Sequence, residues 1–336
     1  MKKEKMLEYI GNQLQLGGTR HYVLSDGWGR NTRCIDIDSG SGLKYTVLPD
    51  RGMDISLASF RGVNLVYLTC NAETHPAFYE PEKFGWLRTF NGGLLTTCGL
   101  TYLGAPVNDE GEDLGLHGRY STIPAHQVSD LSQWIGDEYL IKVKGTSEEG
   151  YMFGNKLRLE RELTTLTGTN KISLTDTVTN FGYKASPYMI LYHMNLGYPM
   201  LSEDAELLID PEYTTPRDDV AASGMKDFMH FSEPQAGYSE QVFIHKMKPG
   251  KDGRGGVMLK NRKLGISLSI YFSTDTLPYI AQWKMLGKGE YVLGLEPSNI
   301  ALNNRKGLRE LNQLPYLGPG ESITNKIEVS IEAFKS

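Results

Sequence analysis

Residues 264–272 read Leu-Gly-Ile-Ser-Leu-Ser-Ile-Tyr-Phe, with an apolar side chain at every second position. Because successive side chains of a β-strand point to opposite sides of the sheet, this alternation predicts a strand with one buried face and one wetter face. The same alternation appears in residues 172–178 and 327–332. Strands of this kind are typical of antiparallel sheets.

Turn-forming residues separate the alternating segments, for example Asp-Arg-Gly at 50–52 and Pro-Gly at 319–320. Short alternating strands between closely spaced turns predict an all-β sandwich or barrel. Neither a Gly/Ser/Pro-rich linker nor an internal repeat divides the 336 residues. We therefore expect one large antiparallel β-sandwich domain over residues 1–336, with residues 1–20 as an N-terminal extension.

The composition argues against several classes of protein. The formal net charge is −5 and no basic stripe stands out, so nucleic acid is not an expected partner. No segment approaches the roughly 20 apolar residues that a membrane span needs. Residues 1–10 lack the apolar core of a signal peptide. We expect a cytoplasmic protein that does not contact membranes.

The three cysteines, Cys34, Cys70 and Cys98, are odd in number and far apart. A disulfide framework or a cysteine-based metal site is therefore not expected. We expect each of them to be a small buried apolar side chain.

Two histidines stand in unusual surroundings. His117 lies in Leu-Gly-Leu-His-Gly-Arg (114–119), where glycines allow another group to approach the imidazole; the alternative is a loop histidine that caps a turn. His193 continues the apolar face that Met189 and Leu191 form by alternation. It is either a hydrogen-bonded core residue or a site residue on a concave sheet. Burial would lower the pKa of such an imidazole, whereas a nearby carboxylate would raise it.

A carboxylate ends another apolar segment. Glu296 follows Tyr-Val-Leu-Gly-Leu (291–295) and precedes Pro297, which stops the hydrogen-bond ladder. A charge at such a position is costly unless it is paired or reaches a solvated cavity. The alternative is a strand-end glutamate in a surface salt bridge.

In this order, the segments around His117, His193 and Glu296 resemble those of the aldose 1-epimerase (galactose mutarotase-like) superfamily. Residues 209–216, Ile-Asp-Pro-Glu-Tyr-Thr-Thr-Pro, resemble the segment that follows the second histidine of that family. The resemblance runs from about residue 50 to the C-terminus and is closest to a divergent bacterial branch of unknown function. Two departures are Tyr192, where ordinary galactose mutarotases often have Asn, and Arg119 after the first motif.

The resemblance implies a twisted antiparallel super-sandwich with a sugar site in the concave groove of one sheet. It implies a cofactor-free and metal-free mutarotase in which Glu296 is the base, His193 the acid and His117 a further donor. Tyr279 and Trp283 are candidate platforms for a pyranose ring, or core residues. For Arg51, a turn salt bridge with a neighbouring aspartate is an alternative. The candidate substrate-binding residues are Arg51, Arg88, Arg119, Asn195, Asp210 and Trp283.

Anomer interconversion opens a hemiacetal, so a base must take the anomeric proton while an acid protonates the ring oxygen. We expect Glu296 and His193 to drive each other toward their charged forms and to produce a bell-shaped pH profile. Three alternatives remain open at this point. They are a non-catalytic sugar-binding protein, a metal site built from His117, His193 and Glu296, and an epimerase in which the arginines select a phosphorylated or otherwise anionic sugar. A homodimer is also expected.

Overall fold

The computed structural model describes residues 2–334, which form a predominantly antiparallel β-structure with short helices. The α-helices are α1 (Lys3–Leu7), α2 (Asp219–Ser223) and α3 (Arg305–Glu310). Short 3₁₀ helices cover Gln13–Gln15, Gly27–Gly29, Pro49–Arg51, Pro76–Phe78, Gly85–Arg88 and Tyr120–Thr122. The strands are β1 (Gly18–Val23), β2 (Arg33–Asp38), β3 (Leu43–Leu48), β4 (Asp54–Phe60), β5 (Val63–Asn64), β6 (Thr96–Leu100), β7 (Val107–Asp109), β8 (Glu112–Leu114), β9 (His126–Asp130), β10 (Gln133–Ile135), β11 (Glu138–Gly150), β12 (Lys156–Leu166), β13 (Lys171–Asn180), β14 (Ser186–Pro187), β15 (Met189–Gly197), β16 (Ala205–Ile209), β17 (Pro211–Pro216), β18 (Gln241–Met247), β19 (Arg254–Asn261), β20 (Ile266–Ser273), β21 (Tyr279–Leu286), β22 (Tyr291–Ser298), β23 (Tyr316–Leu317) and β24 (Ser322–Ala333).

Three sheets make up most of the structure. A nine-stranded sheet has the order β10-β11-β12-β13-β24-β20-β19-β16, with β9 beside β11. A six-stranded sheet has the order β17-β18-β21-β22-β15-β6, and a five-stranded sheet runs from β1 to β5. One hydrophobic core joins all three sheets through residues such as Val47, Leu268 and Leu293. The predicted all-β antiparallel sandwich is confirmed.

The alternating stretch 264–272 forms β20, between β19 and β24 in the nine-stranded sheet. Its apolar residues, including Leu268 and Ile270, face the core as predicted. However, Ser267 and Ser269 are each only 5 % exposed. Both faces of the central part of this strand are therefore covered, and the small hydroxyl side chains fit that second covered face.

A buried charge cluster lies beneath the six-stranded sheet. The guanidinium of Arg161 donates to Asp54 and Asp176 at 2.7 Å each, and all three side chains are buried. The hydroxyl of Tyr192 also donates to Asp176, at 2.9 Å. Because neighbouring residues of a strand face opposite ways, the tyrosine in β15 points into this interior and His193 points to the other side of the sheet. The residue that departs from the family pattern is thus a core residue.

Two features near the chain's early residues differ from expectation. Strand β1 begins at Gly18, inside the stretch predicted as an N-terminal extension. Cys34 and Cys98 are buried as expected, but Cys70 is exposed, so that prediction is wrong for one cysteine. Within residues 2–334, none of the helices has the length and apolar character needed to cross a membrane.

Candidate active site

A cavity of about 380 Å³ opens on one face of the six-stranded sheet. Its wall consists mostly of apolar side chains and aromatic rings, with a few polar groups between them. Two exposed side chains, Phe84 and Leu87, form part of its rim. The lining residues are Phe84, Trp86, Leu87, Phe90, Gly104, Ala105, Leu116, His117, His193, Arg217, Glu240, Val242, Trp283, Glu296, Leu302, Asn303 and Asn304.

His193 and Glu296 meet in this cavity. The first lies on β15 and the second on the neighbouring strand β22, and the antiparallel register that pairs Met194 with Leu295 brings them side by side. The distance from His193 Nε2 to Glu296 Oε1 is 3.3 Å. The two residues are 5 % and 3 % exposed, so both are almost withdrawn from water and still line the cavity.

His117 reaches the cavity from a loop. Its φ is 56°, in the left-handed region, and its backbone is held by hydrogen bonds to Gly104 and from Gly99. A Cβ at the next residue, Gly118, would lie against the carbonyl oxygens of Gly99 and Tyr102, the latter at 2.5 Å. Only glycine therefore fits there, and the loop places the His117 ring 6.0 Å from that of His193.

Aromatic rings surround the two imidazoles. The ring of His193 lies 5.3 Å from Phe90 and 5.5 Å from Trp283. Trp86 stacks on Phe90 at 4.4 Å and meets the ring of His117 edge-on at 4.9 Å. These rings restrict the orientation of both imidazoles and make their surroundings apolar.

Burial controls the ionisation of the cluster. Withdrawal from water raises the pKa of Glu296 to about 8, and the negative charge of Glu240 adds to this effect. Burial lowers the pKa of His193 to about 3, with a further contribution from His117, and lowers the pKa of His117 to about 4. The prediction that the pair is driven to its charged forms is wrong, because desolvation outweighs the attraction. At neutral pH the glutamate holds a proton and both imidazoles are neutral.

Several polar atoms of the cluster lack hydrogen-bond partners within residues 2–334. They are Nδ1 of His117, Nδ1 of His193 and Oε1 of Glu296, all of them buried. An unsatisfied buried polar atom costs about 1–3 kcal/mol, so such atoms are rare in cores and frequent where chemistry takes place. Their concentration on residues that line one cavity is typical of a site for a hydroxylated ligand.

Arg51, predicted to bind substrate, is buried away from the cavity. Its guanidinium donates to the backbone carbonyls of Thr74 at 2.8 Å and Thr89 at 2.9 Å. The alternative salt bridge with Asp50 or Asp54 is also wrong, since Arg33 and Arg161 take those carboxylates. The arginine joins two loop segments to the sheet.

Most of the other predicted substrate ligands also lie outside the cavity. Arg88 is exposed and contacts Glu80 at 3.1 Å, and Asp210 contacts Lys248 at the surface. Arg119 lies beside Tyr102 and Glu149. Asn195 is buried and donates to the backbone carbonyls of Gly93 and His193. Tyr279, a candidate ring platform, packs under Lys246. Of the residues predicted to bind substrate, only Trp283 lines the cavity.

Sequence reasoning missed two charged residues of the lining. Arg217 follows β17 and Glu240 precedes β18, in polar stretches with no distinguishing local pattern. Arg217 Nη1 donates to Glu240 Oε1 at 2.8 Å, and the indole N–H of Trp283 donates to Glu240 Oε2 at 2.8 Å. Only the strand order β17-β18-β21 brings these three residues together.

The family described as a domain of unknown function (DUF4432) matches residues 29–331. The chain belongs to this family. No curated protein matches this DUF4432 chain significantly. Within residues 2–334, no group of three or more His, Cys, Asp or Glu side chains has the arrangement of a metal site.

Solved structures show the fold of the DUF4432 chain in other proteins. One, from Klebsiella pneumoniae, is described as a candidate aldose 1-epimerase; it has a TM-score of 0.89 and 27 % identity, over 95 % of this chain and 84 % of that one. A galactose mutarotase-like protein from Clostridium acetobutylicum has a TM-score of 0.65 and 14 % identity, over 94 % and 98 %. Galactose 1-epimerase from Lactobacillus acidophilus has a TM-score of 0.59 and 13 % identity, over 94 % and 99 %. The predicted resemblance to the aldose 1-epimerase and galactose mutarotase-like superfamily is confirmed.

Proposed function

We propose that this protein is a mutarotase that interconverts the anomers of an aldose by general acid–base catalysis. The observation that carries the proposal is the 3.3 Å contact between His193 Nε2 and Glu296 Oε1, in a cavity that also contains His117. Two groups that exchange a proton, with a third donor opposite, are what ring opening of a hemiacetal needs. Pockets that bind small molecules commonly begin at about 300 Å³, so a monosaccharide fits this one.

The pair is best treated as one titrating unit. With a pKa of about 8 for Glu296 and of about 3 for His193, it carries one proton throughout the range between those values. Transfer of that proton across the contact produces a carboxylate beside an imidazolium. Glu296 then takes the proton of the anomeric hydroxyl, and His193 protonates the ring oxygen.

Ring opening leaves a free aldehyde. The bond to the aldehyde carbon then rotates, and the ring closes on the other face of the carbonyl group. Closure repeats the two proton transfers in reverse, so the pair returns to its starting protonation state. His117 donates to the ring or to a neighbouring hydroxyl, and the indole of Trp283 supports the apolar face of the sugar. No electron is transferred in this sequence.

The cavity favours a neutral aldose over an anionic one. Arg217 is the one permanently cationic side chain in its lining within residues 2–334. Its guanidinium is already neutralised by Asp218 and Glu240, each at 2.8 Å. An anionic group on the sugar would therefore meet a compensated charge. The adjacent guanidinium and carboxylate instead suit two neighbouring hydroxyl groups.

Exchange NMR on a panel of aldoses at saturating concentration tests the proposal. For the sugar that the protein converts, His193→Asn and Glu296→Gln should each lower turnover by about 10²–10⁴-fold, the usual contribution of a proton-transfer group. Arg88→Gln is the matched control, because this side chain lies outside the cavity and should leave turnover unchanged. Near-parental turnover in either cavity variant would disprove the assignment. Binding without faster exchange would instead identify a non-catalytic sugar-binding protein.

A further inference from the structure

A second surface, separate from the cavity lining, exposes large apolar side chains. The turn between β11 and β12 carries Tyr151, Met152 and Phe153, which are 56 %, 77 % and 87 % exposed. Tyr183, in the loop after β13, is 98 % exposed. Since β12 pairs with both β11 and β13, the two loops project from the same end of the nine-stranded sheet. We call these four residues the tip cluster.

A groove of about 740 Å³ runs beside the tip cluster. It is larger than the candidate active site and is lined by Tyr151, Phe153 and Tyr183 from the cluster and by Arg305 and Arg309 from α3. Salt bridges to Asp109 hold both guanidinium groups in place. The surface therefore carries protruding rings and a rigid depression next to each other.

We propose that the tip cluster and this groove form the interface of a two-fold symmetric homodimer, in which the rings of each copy enter the groove of the other. A two-fold interface uses the same patch on both copies, so it requires projections and a depression on one surface. The partly exposed guanidinium of Arg309 would pack against an inserted ring, a favoured arrangement of guanidinium and aromatic groups.

The exposed area of these large, mostly apolar residues is close to what a stable dimer needs. At about 200 Å² for a large side chain, the tip cluster together with Tyr316, which is 44 % exposed and also lines the groove, presents about 700 Å². A standard interface buries about 800 Å² on each partner, and the largest apolar patch of a typical monomer is about 300–600 Å².

The charges around the patch are of both signs. Lys156 and Lys184 flank the tip cluster, whereas Glu110, on the β7–β8 turn, lines the same groove and contacts Arg309 at 3.3 Å. A two-fold rotation exchanges these positions, so basic groups of one copy can face acidic groups of the other. A patch of one sign would repel itself.

A second copy fits this surface better than a carbohydrate does. A ring that stacks on a sugar is usually supported from behind, but Tyr183 is open to solvent on both faces. Of the other most exposed members, Phe153 has no hydrogen-bonding group in its side chain and Met152 has only a weakly accepting thioether sulfur. Side chains of this type become buried when they insert into a partner.

The mass of the full chain in solution tests the proposal, measured by sedimentation equilibrium between about 1 and 50 µM. The parent should sediment at twice the chain mass of 37.6 kDa. Phe153→Ser and Tyr183→Ser should each weaken dimerisation by about 30-fold or more, the usual effect of losing an aromatic anchor. Tyr9→Ser removes an exposed aromatic ring elsewhere and is the matched control.

Because the substituted side chains are exposed, urea unfolding midpoints should match the parent in all three variants when they are measured at protein concentrations low enough for the parent to be monomeric. A monomeric parent at 50 µM would overturn the proposal. So would a dimer that both tip-cluster variants leave unchanged. A monomer that binds a soluble glycan through Phe153 would assign the surface to carbohydrate instead.

Discussion

Replacement of the buried carboxyl by an amide, Glu296→Gln, should stabilise the protein at neutral and alkaline pH while lowering its turnover. The pKa of Glu296 rises from an ordinary value of 4.5 to about 8 on folding, because burial disfavours the charged form. Below pH 4.5 the group is protonated in both the folded and the unfolded chain, so it does not change stability. Between these two values only the unfolded chain ionises, and the folded state loses stability as the pH rises.

The loss is about 1.4 kcal/mol for each pH unit in that interval, which amounts to about 3 kcal/mol at pH 7 and about 5 kcal/mol above pH 8. The side chain is almost completely buried, so solvent screening reduces this little. Glutamine has nearly the same shape and does not titrate. The stability difference between variant and parent should therefore grow by about 3 kcal/mol between pH 5 and pH 8.

Urea unfolding of both proteins, followed by tryptophan fluorescence from pH 5 to pH 8.5, measures this difference. Glu310→Gln is the control, because it makes the same substitution at a side chain that is 65 % exposed and lies outside the cavity. A difference that does not vary with pH, or a variant less stable than the parent at pH 8, would refute the reasoning.

Further predictions concern the pH profile, the tuning of the pair, the loop and the core. In exchange NMR, kcat/KM should stay level from about pH 5 and fall above about pH 8, where a pKa of about 8 for Glu296 removes the last proton of the pair. Glu240→Gln should move that alkaline limb to lower pH, since the charge that helps raise the pKa of Glu296 is gone. Gly118→Ala should lower turnover more than it lowers the thermal midpoint, because the clash displaces the neighbouring histidine. Arg161→Met should lower the free energy of unfolding by about 3–5 kcal/mol, because it leaves two buried carboxylates without their partner.

Control variants distinguish these specific effects from a general loss of stability. Asp210→Asn removes a surface carboxylate far from the pair and should leave the alkaline limb in place. Gly136→Ala imposes the same positive φ on alanine where nothing lies within 4 Å, so it should reproduce the backbone strain without the loss of turnover. An alkaline limb near pH 6.5 would contradict the assigned protonation state, and an Arg161→Met protein as stable as the parent would contradict the importance of the buried cluster.

The fold could be predicted because its signal is local. Alternation of apolar residues in 264–272 indicates a strand without any information from the rest of the chain, and several such segments together indicate a sheet. The two histidines and Glu296, which the structure places in one cavity, could be selected because each interrupts an apolar or glycine-rich segment in a family-like order. The positions of the arginines could not be predicted, because their surroundings are set by residues distant in the sequence. Nothing near Arg51 in the sequence indicates that the carbonyls of Thr74 and Thr89 enclose it.

The protonation states of His193 and Glu296 were also predicted wrongly, again because residues from other parts of the chain determine them. The sequence indicates that an imidazole and a carboxylate are partners, which favours the charged forms. It does not indicate that Trp86 and Phe90, both distant in the chain, line the same cavity and make the surroundings of the pair apolar. Arg217 and Glu240 were missed because only the order of strands β17 and β18 relative to β21 makes them neighbours of Trp283.

The rim of the cavity offers a route to altered substrate range. Phe84 and Leu87 are 61 % and 51 % exposed, and neither belongs to a strand of the sheet that carries the acid–base pair. Substitutions at such exposed positions usually change stability by less than about 0.5 kcal/mol. A combinatorial library confined to these two positions would reshape the entrance and retain the reactive groups. Variants that accept new sugars could then be selected without first adding mutations that restore the stability of the protein.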